Sequence, residues 1–539
     1  MNLLNLFGDI DENFYQLGVL DRSEAKIVHN DVKTMLCTPW KGVNLGIEEL
    51  SKLIIKNTLL KKPDFYHHLK AYSEGLNIKV EQTAYIMLIP ELVSCMSKWA
   101  PAFSKGSLGC SSFFMRNQNE EVVHGRILDF PLQGSYDKNE RAILYELNGM
   151  PKTLGFGSCG IPYPSISLMT EDGMTLALHQ KFTNIFNKDG VSIFELIFDL
   201  LKKANDKKSV IEYINQNESI TTWSLYISFK NGDVLACDLM GKENYINEHH
   251  VDSKSVHYFC NHLENPSLNQ ADFIPYGFDQ YNKMRTEVAL KKIQKFETIK
   301  DKNDEELIKL MATPFDQKKS KENLRSFNLD NITLSSLSVM TLNPTAQTAF
   351  YIDGDAPKIY QDNLIKLEKA FSAPEFLNVK AKKNQKIVSN DYQLGLSALM
   401  KAQKGFDVKD AQIIYHELQI AIDHLSDFPE KKIAEFYFLI AQYMYETHSK
   451  VQSHILHEFK NFEDKLPTYL NDHCLLFISR LERILKLQPT LEDDKINHLR
   501  LKEIRNLERK IPDNLLHLTT KSMIFPRIDI LDVIYLHGN

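Results

Sequence analysis

The residue with the clearest chemical potential is Cys110, which follows Gly109 in a Gly-Cys-Ser-Ser stretch. Arg126 stands sixteen residues after it, and Asp129 nineteen. If the Gly109–Cys110 peptide bond is cut, Cys110 carries both a thiol nucleophile and an α-amine, which titrates near about 8 and can accept a proton. The pattern predicts a self-cleaved cysteine nucleophile, with fragments of about 109 and 430 residues from a chain of 539.

Arg126 and Asp129 have chemical roles in this interpretation. A guanidinium is always charged and favours the thiolate form of a nearby cysteine. A carboxylate accepts a hydrogen bond from an α-ammonium group and holds it in place. The alternative is a surface ion pair between Arg126 and Asp129, which lie three residues apart.

The elements that must position these residues change type at Cys110. Positions 1 to about 100 have mainly helical periodicity, and 101–109 has the composition of a loop. Strands are then predicted at 110–116, 121–127, 141–147, 174–179, 222–229, 233–238, 256–260, 335–342 and 347–352. Helices are predicted at 190–206, 277–297 and 301–311. Runs of strands with segregated helices favour an α+β layered core.

From about 360 onward the sequence predicts amphipathic helices. They are expected at 391–403, 409–424, 429–446, 467–487 and 491–509, with a strand or packed tail at 524–536. Short polar breaks between them indicate a bundle or a tetratricopeptide-like array, although no clean repeat of that length is present.

Composition excludes several classes of function. The chain is 43% hydrophobic and 25% charged with a net charge of −6 and no long basic run, which argues against nucleic-acid binding. No apolar stretch reaches the ~20 residues of a membrane span, and no conventional signal peptide is visible. We therefore expect a cytoplasmic protein, or one exported without such a signal.

Metal and disulfide sites are not expected. The seven cysteines are scattered without CxxC pairs, which argues against a disulfide framework and structural zinc. His67-His68 and His249-His250 are adjacent pairs, and such neighbours do not share a helix face. No metal or cofactor is predicted.

The ordered motifs resemble the N-terminal-nucleophile cysteine hydrolases of the choloylglycine hydrolase, acid ceramidase and penicillin acyltransferase superfamily. The resemblance spans roughly 1–357. Its carriers are the Cys110 stretch, Gly-Arg-Ile-Leu-Asp-Phe at 125–130, and the segments 75–82, 171–177, 260–262, 281–293 and 333–339.

That resemblance implies a four-layer αββα core at 110–357, after a helical prosegment at 1–109 and before a helical C-terminal domain at 358–539. It implies Asn261 as an oxyanion donor, with a turn residue as the alternative. It also places Arg285 at the site, where the alternative is an exposed helix arginine; Lys283 is read as a solvated charge.

The chain departs from the family at His179-Gln180-Lys181-Phe182, where acid ceramidase-like enzymes carry Asn-Glu-Arg-Phe. Gln180 replaces a carboxylate by an amide and is a candidate oxyanion or substrate group, with His179 as the alternative. Because strand side chains alternate, we expect only one of the two to face the site. Cys260 replaces the usual threonine and is read as a small buried residue.

Three functions follow. The first is a self-processing amidohydrolase that cleaves linear carbon–nitrogen bonds of small N-acyl substrates (ceramide-like, N-acyl amine or N-acyl amino acid) through a Cys110 thioester. The second is an acyltransferase that passes the acyl group to an amine or thiol. The third is an interaction protein whose 358–539 region binds a protein partner.

Overall fold

The protein folds around two β-sheets that pack face to face. The structure is a computed structural model, and it describes residues 1–35, 41–57, 63–96, 109–130, 132–181, 183–264, 276–299, 301–313, 331–333, 335–380, 390–428, 430–462, 465–466, 468–490, 495–496 and 499–521. The predicted loop at 101–109 lies outside them except for Gly109, and the predicted tail at 524–536 lies outside them entirely.

The strands are mostly short. They are β1 (Asn2–Gly8), β2 (Gly109–Arg116), β3 (Val122–Asp129), β4 (Glu140–Leu147), β5 (Thr153–Ser158), β6 (Ser167–Thr170), β7 (Thr175–Gln180), β8 (Thr222–Ser228), β9 (Asp233–Met240), β10 (Glu243–His250), β11 (His257–Phe259), β12 (Ser336–Asn343), β13 (Thr348–Ile352), β14 (Leu364–Glu368) and β15 (Glu375–Asn378). The first sheet has the order β1-β4-β5-β6-β7-β8-β9-β10, and the second has the order β11-β2-β3-β12-β13-β14-β15.

Helices precede, interrupt and follow these strands. They are α1 (Ile10–Leu20), α2 (Arg22–Thr34), α3 (Lys41–Asn57), α4 (Pro63–Leu76), α5 (Val80–Met96), α6 (Ile193–Lys203), α7 (Lys207–Gln216), α8 (Tyr276–Glu297), α9 (Asp304–Ala312), α10 (Asn390–Val408), α11 (Ala411–His424), α12 (Lys431–Tyr445), α13 (Ser449–Phe462), α14 (Thr468–Ile484), α15 (Leu499–Glu508) and α16 (Asp513–Thr520). The α+β class predicted from the sequence is confirmed.

Apolar side chains from both sheets fill the space between them. Leu144 of β4 packs in one cluster with Met340 of β12, and Tyr226 of β8 packs in another with Phe114 of β2. The other face of the first sheet is covered by the helices of residues 10–96 together with α6 and α7. Burial of this apolar area is the main source of stability of the layers.

A helix covers the second sheet where it carries Arg126. The neighbouring Gly125 turns to the opposite face, where an added Cβ would lie 2.5 Å from Sδ of Met311 in α9. A larger residue here would require the Met311 side chain to move. The described layers follow one another as helix, sheet, sheet and helix.

The N-terminal segment contributes a strand as well as helices. β1 pairs in parallel with β4, from Asn2 opposite Arg141 to Gly8 opposite Leu147. The expectation of a mainly helical segment missed this strand, because its partner lies more than 130 residues away and the pairing leaves no local pattern.

The second sheet continues beyond the last predicted strand. β14 pairs antiparallel with β13, and β15 pairs antiparallel with β14, so the expectation of helix from about 360 was wrong for 364–378. These strands are four or five residues long and carry charged side chains, which weakens the alternation that identifies a strand.

The chain divides into two compact units. The first contains residues 1–274, 286–313 and 335–387, and the second contains 275–285, 314–334 and 388–539. In the second unit consecutive helices from α10 to α14 pack on one another. Among the described residues, no helix is both long and apolar enough to cross a membrane. The predicted boundaries at 109 and 357 describe a processed chain and stay a prediction.

Candidate active site

A β-hairpin brings Cys110 and Arg126 together. β2 and β3 are antiparallel, with Cys110 opposite Leu128 and Ser112 opposite Arg126. Cys110 and Arg126 therefore share one face, and Nη2 of Arg126 donates to the Cys110 sulfur at 3.1 Å. Both side chains are buried. A guanidinium at this distance stabilises a thiolate, so the surface-pair alternative for Arg126 does not apply.

Asn261 holds the backbone nitrogen of Cys110. It follows β11, which pairs with β2 on the side away from β3. Its Oδ1 accepts from the Cys110 nitrogen at 2.8 Å, and its Nδ2 donates to the carbonyl of Gln180 at 2.9 Å. Asn261 thus links β2 in the second sheet to the end of β7 in the first.

Asp129 lies beside the predicted cleavage site. It ends β3 directly opposite Gly109, and its Oδ1 accepts from the Ser336 hydroxyl at 2.5 Å. The carboxylate is buried, so it is not part of an exposed ion pair. The position opposite Gly109 places it next to the residue whose carbonyl would be attacked in self-cleavage.

His179 and Gln180 lie on opposite faces of β7, as strand alternation requires, and both adjoin the Cys110 group. Nη1 of Arg126 lies 2.7 Å from Nε2 of His179. Gln180 instead lines a cavity together with Cys110, where its Nε2 donates to the carbonyl of Pro90 at 2.8 Å. The two residues thus approach the Cys110 group from different faces of β7, and which of them takes part in a reaction stays a prediction.

Lys181 is a site residue that the sequence analysis did not assign. Its buried ammonium donates to the carbonyls of Cys260, at 3.0 Å, and of His262. These two carbonyls flank Asn261, so Lys181 fixes the backbone on both sides of that residue. The only signal in the sequence was a basic residue at the position of the family's arginine.

A half-buried carboxyl lies next to this lysine. Glu264 accepts from the Tyr226 hydroxyl at 2.8 Å, and burial raises the pKa of Glu264 to about 7 although the charge of Lys181 opposes that shift. The same tyrosine receives a hydrogen bond from Lys181 at 3.1 Å. Cys260 is buried beside this group.

A cavity of about 70 Å³ reaches Cys110 from the helical layer. Cys110 and Gln180 supply polar groups to its wall. The apolar lining residues are Val28, Val32, Ile86, Leu128, Phe130, Leu132, Ile161, Ile166, Leu178, Phe194 and Trp223. A wall of this composition suits an alkyl or aromatic group next to a reacting carbonyl.

Arg285 lies in the second compact unit. It is buried, so the exposed-arginine alternative was wrong. Its Nη2 donates to Asn282 Oδ1 at 2.6 Å, and its carbonyl accepts from Asn331 Nδ2 at 3.2 Å. Lys283 is exposed. A role for Arg285 at Cys110 stays a prediction.

In the described part of the chain, no group of three or more histidine, cysteine, aspartate or glutamate side chains is placed to hold a metal ion. The groups around Cys110 are a thiol, a guanidinium and side-chain amides. Such groups can carry out covalent acyl chemistry.

Two solved structures are similar to part of this chain. For a Caenorhabditis elegans N-acylethanolamine-hydrolyzing acid amidase ortholog, the identity is 12%, the coverage is 44% of this chain and 93% of that chain, and the TM-score is 0.31. For a mutant conjugated bile acid hydrolase from Clostridium perfringens, the identity is 12%, the coverage is 52% and 99%, and the TM-score is 0.31.

No protein-family model matches the chain, and no curated protein matches it. The proposed activity therefore rests on the geometry around Cys110 and not on these two similarities.

Proposed function

We propose that this chain is a self-processing cysteine amidohydrolase that cleaves linear amide bonds of N-acyl substrates. The observation that carries the proposal is the pair of contacts on Cys110, whose sulfur receives Arg126 Nη2 at 3.1 Å and whose nitrogen is held by Asn261 at 2.8 Å. Cys110 is thus contacted by a guanidinium that can stabilise its thiolate and by an amide oxygen that can hold its α-amine after cleavage.

Self-processing would begin with attack of the Cys110 sulfur on the Gly109 carbonyl. The carbon–nitrogen bond breaks, the nitrogen takes up the thiol proton, and Gly109 becomes a thioester on the sulfur. Water then hydrolyses this thioester, which leaves a Gly109 carboxylate and a free α-amine on Cys110. Asn261 Oδ1, which accepts from this nitrogen in the uncut chain, would hold the resulting amine.

In turnover the α-amine would accept the thiol proton, and the thiolate would attack the substrate carbonyl. The tetrahedral oxyanion would be stabilised by an Asn261 Nδ2 hydrogen other than the one given to Gln180, together with a backbone N–H. The α-ammonium returns its proton to the leaving amine, and water releases the acid. The apolar cavity favours a substrate with an apolar acyl chain.

Intact-mass spectrometry of purified full-length protein tests the proposal. We expect two fragments divided between Gly109 and Cys110, and an added acyl mass on the Cys110 fragment after incubation with N-acyl amides. Cys110→Ala should abolish both signals, while Cys237→Ala, which alters a buried cysteine in the strand β9, should keep them.

The outcomes separate the alternatives. A single uncut chain across acid and neutral pH, with Cys110 unmodified, would argue against the proposal, and turnover by Cys110→Ala would show that the nucleophile is misassigned. Transfer of the acyl group to an added amine or thiol would identify an acyltransferase instead.

A further inference from the structure

A chain of buried hydrogen bonds runs from Arg126 into the space between the sheets. His179 Nε2 lies 2.7 Å from Arg126 Nη1 and 2.9 Å from the Ser112 hydroxyl. That hydroxyl lies 3.1 Å from His124 Nε2, and His124 Nδ1 lies 2.9 Å from the Thr175 hydroxyl. All five side chains are fully buried.

The guanidinium fixes which groups donate and which accept in this series of hydrogen bonds, because it can donate hydrogen bonds but cannot accept them. Nε2 of His179 must therefore be an acceptor, and its imidazole is neutral with the proton on Nδ1. The Ser112 hydroxyl must then donate to the same Nε2, since otherwise that contact would contain no hydrogen.

The remaining contacts follow in one order. With the Ser112 hydrogen committed, His124 Nε2 must donate to the serine oxygen, and His124 Nδ1 accepts from Thr175. Thr175 in turn accepts from Ser228, whose hydroxyl lies at 2.6 Å. This arrangement requires a neutral His124, and burial together with the charge of Arg126 lowers the pKa of His124 well below its usual value.

The ring of His179 is also held by packing. It meets the ring of Tyr226 edge to face, with centroids 4.5 Å apart and an interplanar angle of 73°. Burial raises the pKa of Tyr226 well above its usual value, so this phenol is uncharged at neutral pH. The groups facing the imidazole are thus one fixed cation, two hydroxyl groups and the second imidazole.

We propose that His179 is a positioning residue that holds the guanidinium of Arg126 against the sulfur of Cys110. Its neutral Nε2 binds Nη1, which leaves Nη2 to bridge the Cys110 sulfur and the Leu178 carbonyl, at 2.6 Å from the latter. Ser112 and His124 keep the imidazole in the required tautomer. This inference rests on the proposed function for its importance in catalysis, but its geometry concerns the thiol alone.

The test measures the Cys110 thiolate directly in the full-length chain. Thiolate absorbance is followed against pH, and the signal of Cys110→Ala is subtracted. His179→Leu should move the midpoint upward by about one pH unit, a tenfold loss of thiolate at a given pH. His179→Gln, whose amide oxygen can accept from Nη1, should recover part of the shift, and His454→Leu on an exposed helix face should leave the midpoint unchanged.

A double-mutant cycle separates positioning from general structural damage. In an Arg126→Lys background, His179→Leu should add little further shift, because the group that it positions is already absent. If His179→Leu fails to fold, Ser112→Ala is measured instead, and we expect a smaller shift in the same direction. An unchanged midpoint in a folded His179→Leu or Ser112→Ala chain, or full additivity with Arg126→Lys, would overturn the inference.

This readout needs neither processing nor turnover. A chain that never cleaves itself but shows the coupled thiolate shift would contradict the proposed function and retain the inference. A processed and active chain whose thiolate midpoint is unchanged by His179→Leu would contradict the inference and retain the proposed function.

Discussion

Arg126 is the side chain that connects the parts of the site. Its Nη2 contacts the Cys110 sulfur and the Leu178 carbonyl, while its Nη1 meets His179. These partners come from both sheets, and the planar guanidinium can reach them at once because its donors are fixed in one fork. A lysine has the charge but only one nitrogen.

Arg126→Lys should therefore lower the reactivity of Cys110 although the charge is conserved. We expect self-cleavage and turnover to slow by at least about tenfold, the equivalent of one unit in thiolate titration. The measurement is the rate of fragment appearance by intact mass. Arg116→Lys, a change at the far end of β2, is the matched control, and equal rates for the two variants would count against the role of Arg126.

Lys181 acts on Asn261 through the backbone. Lys181→Met keeps the length of the side chain but removes the donors to the carbonyls of Cys260 and His262, so Asn261 should lose its fixed position. Loss of a whole oxyanion donor lowers kcat by about 10²–10³-fold. We expect Lys181→Met to lower kcat by less than this, roughly tenfold or more, with little change in KM.

Steady-state kinetics on an N-acyl amide check this expectation. Lys203→Met, in the last turn of α6, is the control because Lys203 is exposed and its contacts, an ion pair with Asp199 and the ring of Tyr213, lie away from Asn261. Activity of Lys181→Met within twofold of wild type would show that the loop holds Asn261 without the lysine.

At the scale of elements, the segment before Cys110 is built into the core. β1 forms an edge of the first sheet beside β4, and Asp21 makes a buried bidentate ion pair with Arg141 of β4. Tyr72 of α4 donates to the same carboxylate at 2.6 Å. Strand pairing and buried charge thus fix this segment independently of the peptide bond at Cys110.

We therefore expect the two fragments to stay together after cleavage. They should elute as one species in size-exclusion chromatography under native conditions and separate only in denaturant. Elution as two separate species at micromolar concentration would contradict this expectation.

Asp21→Ala tests the contribution of the ion pair. It leaves Arg141 as a buried charge without this carboxylate, a change that typically costs about 3–5 kcal/mol. The fragments of this variant should separate at a lower urea concentration than those of wild type. Asp64→Ala, which alters an exposed carboxyl in the first turn of α4, is the control, and an unchanged urea midpoint for Asp21→Ala would show that β1 and the helices suffice.

At the scale of the whole molecule, the chain passes repeatedly between two compact units. The unit that contains α10–α16 has its own apolar core and its own buried ion pair, in which Arg480 Nη2 lies 2.6 Å from Glu508. It also buries Glu430, and burial raises the pKa of Glu430 to about 7 while a hydrogen bond from Tyr392 opposes the shift.

This carboxyl gives the unit a pH dependence. Because its folded pKa lies above the ordinary 4.5, its contribution to stability is present below about 4.5 and is lost as the pH rises through about 7. Glu430→Gln should remove this pH-dependent loss in the free energy of unfolding, which amounts to up to about 3 kcal/mol. Urea unfolding at about pH 5 and pH 8, followed by helical circular dichroism, should show a smaller difference in midpoint for Glu430→Gln than for wild type.

The control is Glu435→Gln, which alters a half-exposed carboxyl in α12, the helix that begins directly after Glu430. An identical pH dependence in wild type and Glu430→Gln would show that Glu430 ionises in the folded chain without this cost.

The sequence by itself determined the local features of β2 and β3. Residue types and spacing predicted the pairing of Cys110 with Arg126, nine strands of the core and the α+β class, because a hairpin and period-two alternation are local properties. The sequence did not reveal β1, which depends on a partner far along the chain, nor β5, β6 and β10, nor β14 and β15, whose alternation is weak.

Only the tertiary structure decided what surrounds the thiol. His179 contacts Arg126 and Lys181 grips the backbone around Asn261 because two sheets bring β2, β7 and the end of β11 together. Such contacts join residues up to about 150 positions apart. Local sequence patterns do not predict these contacts, because burial and hydrogen bonding between sheets depend on the packing of whole elements.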